Sequence, residues 1–179
     1  NGTVLNGAFT VSPVDPTMTE NSPDIVYGAD EIITITAPSE GMSGTISLTV
    51  KNSNGDYLKD NNSNVLWDYK IIVTGSDSYS VTIPKPAVDT YNITVYYAGN
   101  ANYTVSNVSG NFTVSQATPN IVVSPSNITY RENEIITVSL EDGAGNLITD
   151  ATGTVRISIG DYSTDVSTYD HGVWKFNIT

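Results

Sequence analysis

The sequence predicts an all-β chain of tandem antiparallel β-sandwiches, and three observations support this prediction. Valine and isoleucine together number 36 against six leucines, and these β-branched side chains suit a pleated surface better than a helix. Apolar and polar residues alternate along several segments, whereas no segment has apolar residues at sustained helical spacing. The third observation is an internal repeat with a period of 103 residues.

The repeat is visible when the sequence is shifted by 103 positions against itself. The shift places residues 9–12 on 112–115, both Phe-Thr-Val-Ser, and residues 31–34 on 134–137, both Glu-Ile-Ile-Thr. Starting at Phe9, 11 of 28 aligned positions are identical, which exceeds chance for so short a window. Beyond that window the copies differ by loop insertions, so the period is that of one sandwich domain of roughly 100 residues.

The repeat divides the chain into three predicted parts. Residues 1–12 are predicted to be the terminal strand of a preceding repeat, because they end in the same motif as residues 109–115. Residues 13–115 are predicted to be a complete domain, and residues 116–179 a domain that lacks its last two strands. The linker at the start of the third part is short and contains Pro119, so it is predicted to be stiff.

Alternation along each segment predicts which side chains face the core. One predicted core-facing set belongs to a single late strand of the complete domain: Tyr91, Ile93, Val95 and Tyr97. A second predicted set is Val65, Trp67, Tyr69, Ile71 and Val73, and a third is Trp174, Phe176 and Ile178. Turns are predicted where glycine follows asparagine, aspartate or histidine, as at Asn54-Gly55, Asp142-Gly143 and His171-Gly172, and at Gly99-Asn100.

The segment that contains Tyr97, Gly99, Asn100 and Tyr103 resembles the penultimate strand and hairpin of bacterial-type immunoglobulin-like (Big) repeats. The Gly-Thr-Ile and Gly-Thr-Val strand starts at Gly44 and Gly153, and the glycine-rich loop at 142–146, also fit that family. With its Asn-Ile-Thr motifs and its acidic composition, the chain is similar to adhesin-like cell-surface proteins of methanogenic archaea. The resemblance implies immunoglobulin-like sandwiches of antiparallel Greek-key type that serve chiefly as spacers.

Charge and composition exclude several function classes. The net charge of −12 and the pI near 4.1 disfavour nucleic acid as a partner, and we expect no membrane contact within this segment. Without cysteine the chain has no disulfide, thiol chemistry or zinc–thiolate site. Its single histidine, His171, is interpreted as a solvated turn residue. We therefore predict a non-enzymatic protein without catalytic or cofactor-binding residues.

Three kinds of candidate site remain. No dedicated metal site is expected, although calcium is the one ion that an acidic turn could hold, with Glu141 and Asp142 as its candidate ligands. Outward-facing Tyr57 and Tyr96 are candidates for stacking on sugars. The candidate glycosylation sites each begin an Asn-x-Ser/Thr motif: Asn61, Asn92, Asn102, Asn107, Asn111 and Asn127.

These observations lead to the hypothesis of an extracellular, cell-surface stalk or spacer segment of an adhesin-like glycoprotein that supports cell adhesion. Its expected partners are neighbouring repeats in the same chain and glycans or proteins of a host or partner cell. One alternative is a carbohydrate-binding or accessory module of a secreted glycan-active enzyme. Another is a self-assembling surface filament or layer, formed by homotypic strand exchange between an unpaired terminal strand and an incomplete repeat.

Overall fold

The computed structural model describes residues 7–38, 40–124, 129, 133–143 and 145–178 of the chain. None of these residues is helical, and the described secondary structure consists of strands β1 to β14. The prediction of an all-β chain is therefore confirmed. The chain divides into two compact units, Asn1–Gln116 and Ala117–Thr179.

The strands of the first unit form two sheets. The small sheet has the order β1-β3-β6, and the large sheet has the order β2-β8-β7-β4-β5. All neighbours are antiparallel except β2 and β8, which run parallel with Ile25 opposite Val114. The bounds are β1 Thr19–Asn21, β2 Ile25–Val26, β3 Glu31–Thr36, β4 Thr45–Lys51, β5 Tyr69–Ile72, β6 Ser78–Ile83, β7 Asp89–Tyr97 and β8 Ser106–Ser115.

The two sheets of the first unit enclose one apolar core, which gives the unit a β-sandwich-like fold. In β7 the side chains alternate as predicted, because Tyr91, Ile93, Val95 and Tyr97 are buried while the residues between them are exposed. The small sheet adds Ile33 and Ile35 of β3 to the same core. Full burial of each such side chain stabilises the fold by about 1.5–3 kcal/mol relative to exposure.

The predicted core-facing set that starts at Val65 is wrong for its first two members. Val65 is 48% exposed and Trp67 is 63% exposed, whereas Leu66 between them is fully buried. The backbone of Leu66 is held on both sides, since its N–H donates to the Leu58 carbonyl and its carbonyl accepts from the Val50 N–H. Asp68 then adopts a left-handed conformation with φ of 49°, which resets the alternation before β5 begins at Tyr69.

The second unit has a four-stranded sheet of order β13-β14-β10-β9 and a separate hairpin of β11 and β12. Its smaller core contains Ile136, Val138, Ile157 and Trp174, and the Trp174 indole N–H donates to the Gly153 carbonyl at 3.1 Å. The strand bounds are β9 Asn120–Ser124, β10 Glu134–Glu141, β11 Val155–Ile159, β12 Tyr162–Val166, β13 Tyr169–Asp170 and β14 Val173–Ile178.

Corresponding strands of the two units pair in the same register. Glu31 of β3 lies opposite Ile83 of β6, and Glu134, which is 103 residues later, lies opposite Ile178 of β14. The edge strands agree as well, because Asn21 faces Thr34 in the first unit and Ser124 faces Thr137 in the second.

The segment before the first sandwich has no regular secondary structure where it is described. Residues 1–6 lie outside the described residues, and residues 7–13 form no strand. The side chains of Phe9 and Val11 are 89% and 81% exposed. That residues 1–12 complete a preceding repeat therefore stays a prediction.

Candidate functional site

The most conspicuous surface feature of the first unit is an aromatic patch that we define as Tyr57, Trp67 and Lys51. Tyr57 is 40% exposed and its ring centroid lies 6.1 Å from that of Trp67, with the ring planes tilted by 47°. The Lys51 ammonium lies 5.0 Å from the centroid of the Tyr57 ring, within the range of a cation–π interaction. Of the two predicted sugar-stacking residues, Tyr57 thus belongs to a cluster of rings.

The backbone on both sides of the patch is hydrogen-bonded and directs Tyr57 and Trp67 outward. Leu58 and Leu66 pack on the core, so their neighbours Tyr57 and Trp67 point to the opposite side. Tyr57 pairs with Lys51 across a tight turn, in which the Asn52 side-chain oxygen accepts the N–H of Asp56 at 2.8 Å. After Trp67, the N–H of Asp68 donates to the Thr49 hydroxyl at 3.1 Å.

Polar groups border the patch on the outer face of the large sheet. The Lys70 ammonium donates to the Asp68 carboxylate and to the Ser47 hydroxyl, both at 2.6 Å. The hydrogen bond from Lys70 lowers the pKa of Asp68 below its usual value. Asn92 of β7 is the strand partner of Lys51 and is exposed.

Tyr96, the other predicted stacking residue, lies on the same outer face and is 43% exposed. Its strand partners are Ser47 of β4 and Asn107 of β8. Among the ring pairs found in the described part of the chain, none includes Tyr96. Of the two predicted stacking residues, Tyr57 therefore lies beside a second ring, whereas Tyr96 forms no ring pair within the described residues.

Three candidate glycosylation sites share the outer face of the large sheet. Asn92 and Asn111 are strand partners on β7 and β8, and Asn107 lies further along β8; all three are exposed. Asn61 is exposed in a turn. Asn102 is also exposed, but its side-chain amide donates to the Gly41 carbonyl at 3.2 Å, and Asn127 lies outside the described residues.

The predicted calcium ligands occupy the turn after β10. Asp142 accepts hydrogen bonds from the backbone and the side chain of Asn146, at 2.9 and 3.1 Å, so its carboxylate closes the turn. Glu141 pairs with Leu147 across the same turn. Across the described residues, no group of three or more histidines and carboxylates has a geometry that could hold a metal ion.

The single histidine lies in the predicted turn between β13 and β14. Its ring nitrogen Nδ1 lies 2.5 Å from the Asp170 carboxylate, and its side chain is 82% exposed. His171 and Gly172 both have positive φ angles, 48° and 76°, which is the geometry of a two-residue hairpin turn. The turn itself thus accounts for the position of His171.

Sequence reasoning missed a carboxyl group that is buried in the first unit. Glu31 is fully buried, and neither of its carboxyl oxygens has a hydrogen-bond partner among the described residues. Glu20 approaches it from β1, and one oxygen of Glu20 is also buried without a partner. Burial, followed by the negative charges of Glu20 and Asp24, raises the pKa of Glu31 to about 7.

Comparison with known proteins gives distant likenesses to solved structures. No protein-family model matches the chain, and no curated protein matches it. A solved structure titled apo β-glucuronidase 3 of Bacteroides uniformis covers 91% of this chain at 11% identity with a TM-score of 0.35; the chain spans 21% of that protein. A second, titled Rst D1-D2, covers 96% at 16% identity with a TM-score of 0.33, and 83% of its own length is matched. Likenesses this distant assign no function.

None of the described residues forms a helix of the length and apolarity that a membrane crossing requires.

Proposed function

We propose that the chain is a non-enzymatic spacer segment of an extracellular, adhesin-like cell-surface protein, built from tandem immunoglobulin-like sandwiches. The observation that carries this proposal is the common strand register of the two units, in which Glu31 faces Ile83 and Glu134 faces Ile178. Repeated units joined by the short connection between β8 and β9 add length to a chain. A protein that presents a binding region away from a cell surface requires such length.

The pairing of strands in the first unit supports the immunoglobulin-like, Greek-key assignment. Strand β3 pairs with β6 in one sheet, while β4 pairs with β7 and β7 with β8 in the other. These pairs correspond to the B–E and C–F–G pairs of an immunoglobulin sandwich. The first strand is divided, because β1 joins the small sheet and β2 joins the large one.

The second unit fits the same scheme with fewer strands. Its β10–β14 and β10–β9 pairs correspond to β3–β6 and β3–β1, and its β11–β12 hairpin corresponds to β4–β5. No described strand of this unit corresponds to β7 or β8. The described strands of this unit therefore correspond to the earlier strands of the first unit.

The spacer role is tested by replacing the segment in its parent protein. Deletion of the segment should weaken adhesion of the cells that display the protein, and an unrelated β-sandwich spacer of equal length should restore adhesion. Restoration is expected because a spacer contributes distance and no specific chemistry. If the unrelated spacer fails while the native segment succeeds, the segment has a specific role and the proposal is wrong.

The extracellular location and the glycosylation are tested on native material. An antibody against the segment should label intact cells, and the intact mass of the purified protein should exceed the sequence mass by that of its glycans. Asn92 and Asn111 are the sites to compare first, because they are adjacent on the exposed face. An unmodified mass would remove glycosylation from the proposal but would leave the spacer role standing.

A further inference from the structure

The aromatic patch is fixed in an exposed position. Trp67 is 63% exposed although Leu66 before it is fully buried, and the Asp68 N–H anchors the chain directly after it. Because the backbone is held here, only the side-chain torsions of the rings remain to be ordered when a ligand covers them. Single exposed aromatic residues are common, but here Tyr57 and Trp67 form a pair with centroids 6.1 Å apart.

The surroundings of the pair restrict the class of ligand. With a net charge of −12 the chain as a whole repels nucleic acids and anionic polymers, which disfavours nucleobases and acidic glycans as ligands of the patch. A cationic ligand would compete with Lys51, which already lies over the Tyr57 ring. A purely apolar partner would desolvate Lys51 and the Asp68–Lys70 pair without supplying hydrogen bonds to them.

A neutral sugar satisfies each of these conditions. Its C–H face is apolar and can cover a ring, while its hydroxyl groups can bond to the ammonium and carboxylate groups around the ring. The 47° tilt between the two ring planes prevents both from lying flat on a planar crystalline surface, so a soluble, curved chain suits the patch better.

We propose that Tyr57, Trp67 and Lys51 form a binding site for a neutral glycan chain, with Trp67 as the main stacking platform. Asp68 and Lys70 at its border offer an acceptor and a donor for the sugar hydroxyls. This site goes beyond the spacer role and does not depend on it.

The test is titration of the full chain with soluble neutral oligosaccharides: maltohexaose, mannohexaose, xylohexaose and chitohexaose. Tryptophan fluorescence is a suitable readout, because a ligand can reach the exposed Trp67 but not Trp174, which is only 1% exposed. Stacking on Trp67 should shift its emission to the blue, and the Trp174→Phe variant should give the same shift. At least one of these oligosaccharides should bind, and an oligogalacturonate should bind more weakly because it is anionic.

Substitutions of Trp67 distinguish affinity that comes from ring stacking from affinity that comes from any apolar side chain. Trp67→Ala and Trp67→Leu should each lower the affinity, measured by calorimetry, by about tenfold or more, while Trp67→Phe should retain most of it. Ile72→Ala is the matched control, since Ile72 is an apolar residue of the same sheet with 69% exposure and no aromatic ring. Circular dichroism verifies that each variant is folded.

Two results would overturn the proposal. One is the absence of binding to all four neutral oligosaccharides at millimolar concentrations. The other is binding that Trp67→Leu retains in full, because the affinity would then not come from a ring face.

Discussion

Glu31 begins a strand whose inward side chains are otherwise apolar, and its carboxyl group is buried without a hydrogen-bond partner among the described residues. A charged carboxylate in this position would lack the solvation that water gives it. The nearby acidic groups from the adjoining segment, Glu20 and Asp24, add repulsion and provide no compensating charge. The neutral, protonated form of Glu31 is therefore favoured in the folded state.

The buried Glu31 carboxyl group should make the stability of the chain depend on pH. The pKa of Glu31 is about 7 in the folded state, against an ordinary value of 4.5 for a glutamate, so the folded state binds more protons between these limits. The stabilisation due to this group is complete below about pH 4.5 and is lost as the pH rises through about 7. The Tm measured by calorimetry should thus fall between pH 5 and pH 8, and Glu31→Gln should flatten that dependence.

Glu40→Gln is the control for this experiment, because Glu40 is exposed and its substitution replaces the same side chain by the same amide. It should leave the pH dependence of Tm as it is in the unaltered chain. An equal flattening by both variants would mean that total charge, and not the burial of Glu31, sets the dependence.

Asp60 is also buried, but its pKa is shifted in the direction opposite to that of Glu31. Burial acts to raise its pKa, but hydrogen bonds from Asn64 and Asn62 outweigh burial and hold the pKa below its usual value. Asp60→Ala should lower the free energy of unfolding by about 2–3 kcal/mol, since it leaves the N–H groups of this turn without their acceptor. Urea denaturation measures the loss; the exposed Asp161→Ala should change stability by less than about 0.5 kcal/mol.

At the residue scale, the sequence pattern predicts that Glu31 is buried. It does not predict that the buried carboxyl group lacks a hydrogen-bond partner. Glu31 shares the buried face of β3 with Ile33 and Ile35, so the pattern that predicts a core-facing strand also places this carboxyl group inward. Its lack of a partner depends on which side chains the other strands bring near it, and no local pattern encodes that. For Trp67 the local pattern was misleading, because alternation assumes an unbroken strand and Asp68 interrupts it.

At the element scale, the turn between β13 and β14 depends on a glycine. Gly172 has a φ of 76°, and a Cβ atom added there would lie 2.0 Å from the Ile148 carbonyl oxygen. Gly172→Ala should therefore destabilise the second unit by about 2 kcal/mol or more. Hydrogen exchange followed by mass spectrometry should show faster exchange in β14 and β10, with β7 unchanged.

Gly143→Ala is the matched control in the same unit. A Cβ atom at Gly143 would meet no atom within 4 Å, and its φ is not positive. Exchange rates should stay close to those of the unaltered chain. Equal destabilisation by both substitutions would contradict a specific role of the Gly172 conformation.

A strand or turn could be predicted from the sequence where neighbouring residues determine it, and could not be predicted where pairing with a distant strand determines it. The alternation of β7 was predictable because this strand lies in the interior of its sheet and has one buried and one exposed face. The hairpin turn at His171-Gly172 was predictable because glycine is the common residue at such φ angles. The division of the first strand into β1 and β2 was not predicted, since it depends on pairing with the distant β8.

At the scale of the whole molecule, the two units differ in the size of the cores that their described residues form. The first core joins residues of both sheets, from Ile33 to Val114, whereas the second is built around Ile136, Val138, Ile157 and Trp174. Less buried apolar surface gives a lower free energy of unfolding. The second unit should therefore unfold at a lower temperature than the first.

Two optical probes of the full chain measure this difference. Tryptophan emission reports mainly on the second unit, because Trp174 is buried there and Trp67 is already exposed. Near-ultraviolet circular dichroism of tyrosine reports on the first unit, where Tyr91 and Tyr97 are buried. The emission midpoint should come first on heating; coincident midpoints would mean that the units unfold as one.

The parallel pairing of β2 with β8 has a mechanical consequence. The chain enters the large sheet at Ile25 and leaves it after Ser115, and Ile25 lies beside Val114 on strands that run in the same direction. Tension that pulls the two ends of this unit apart would load the β2–β8 bonds, including that from Tyr27 N–H to the Ser115 carbonyl, in shear. Bonds sheared together must rupture nearly at once, whereas a pair that is peeled open breaks one bond at a time, so this edge acts as a clamp against stretching.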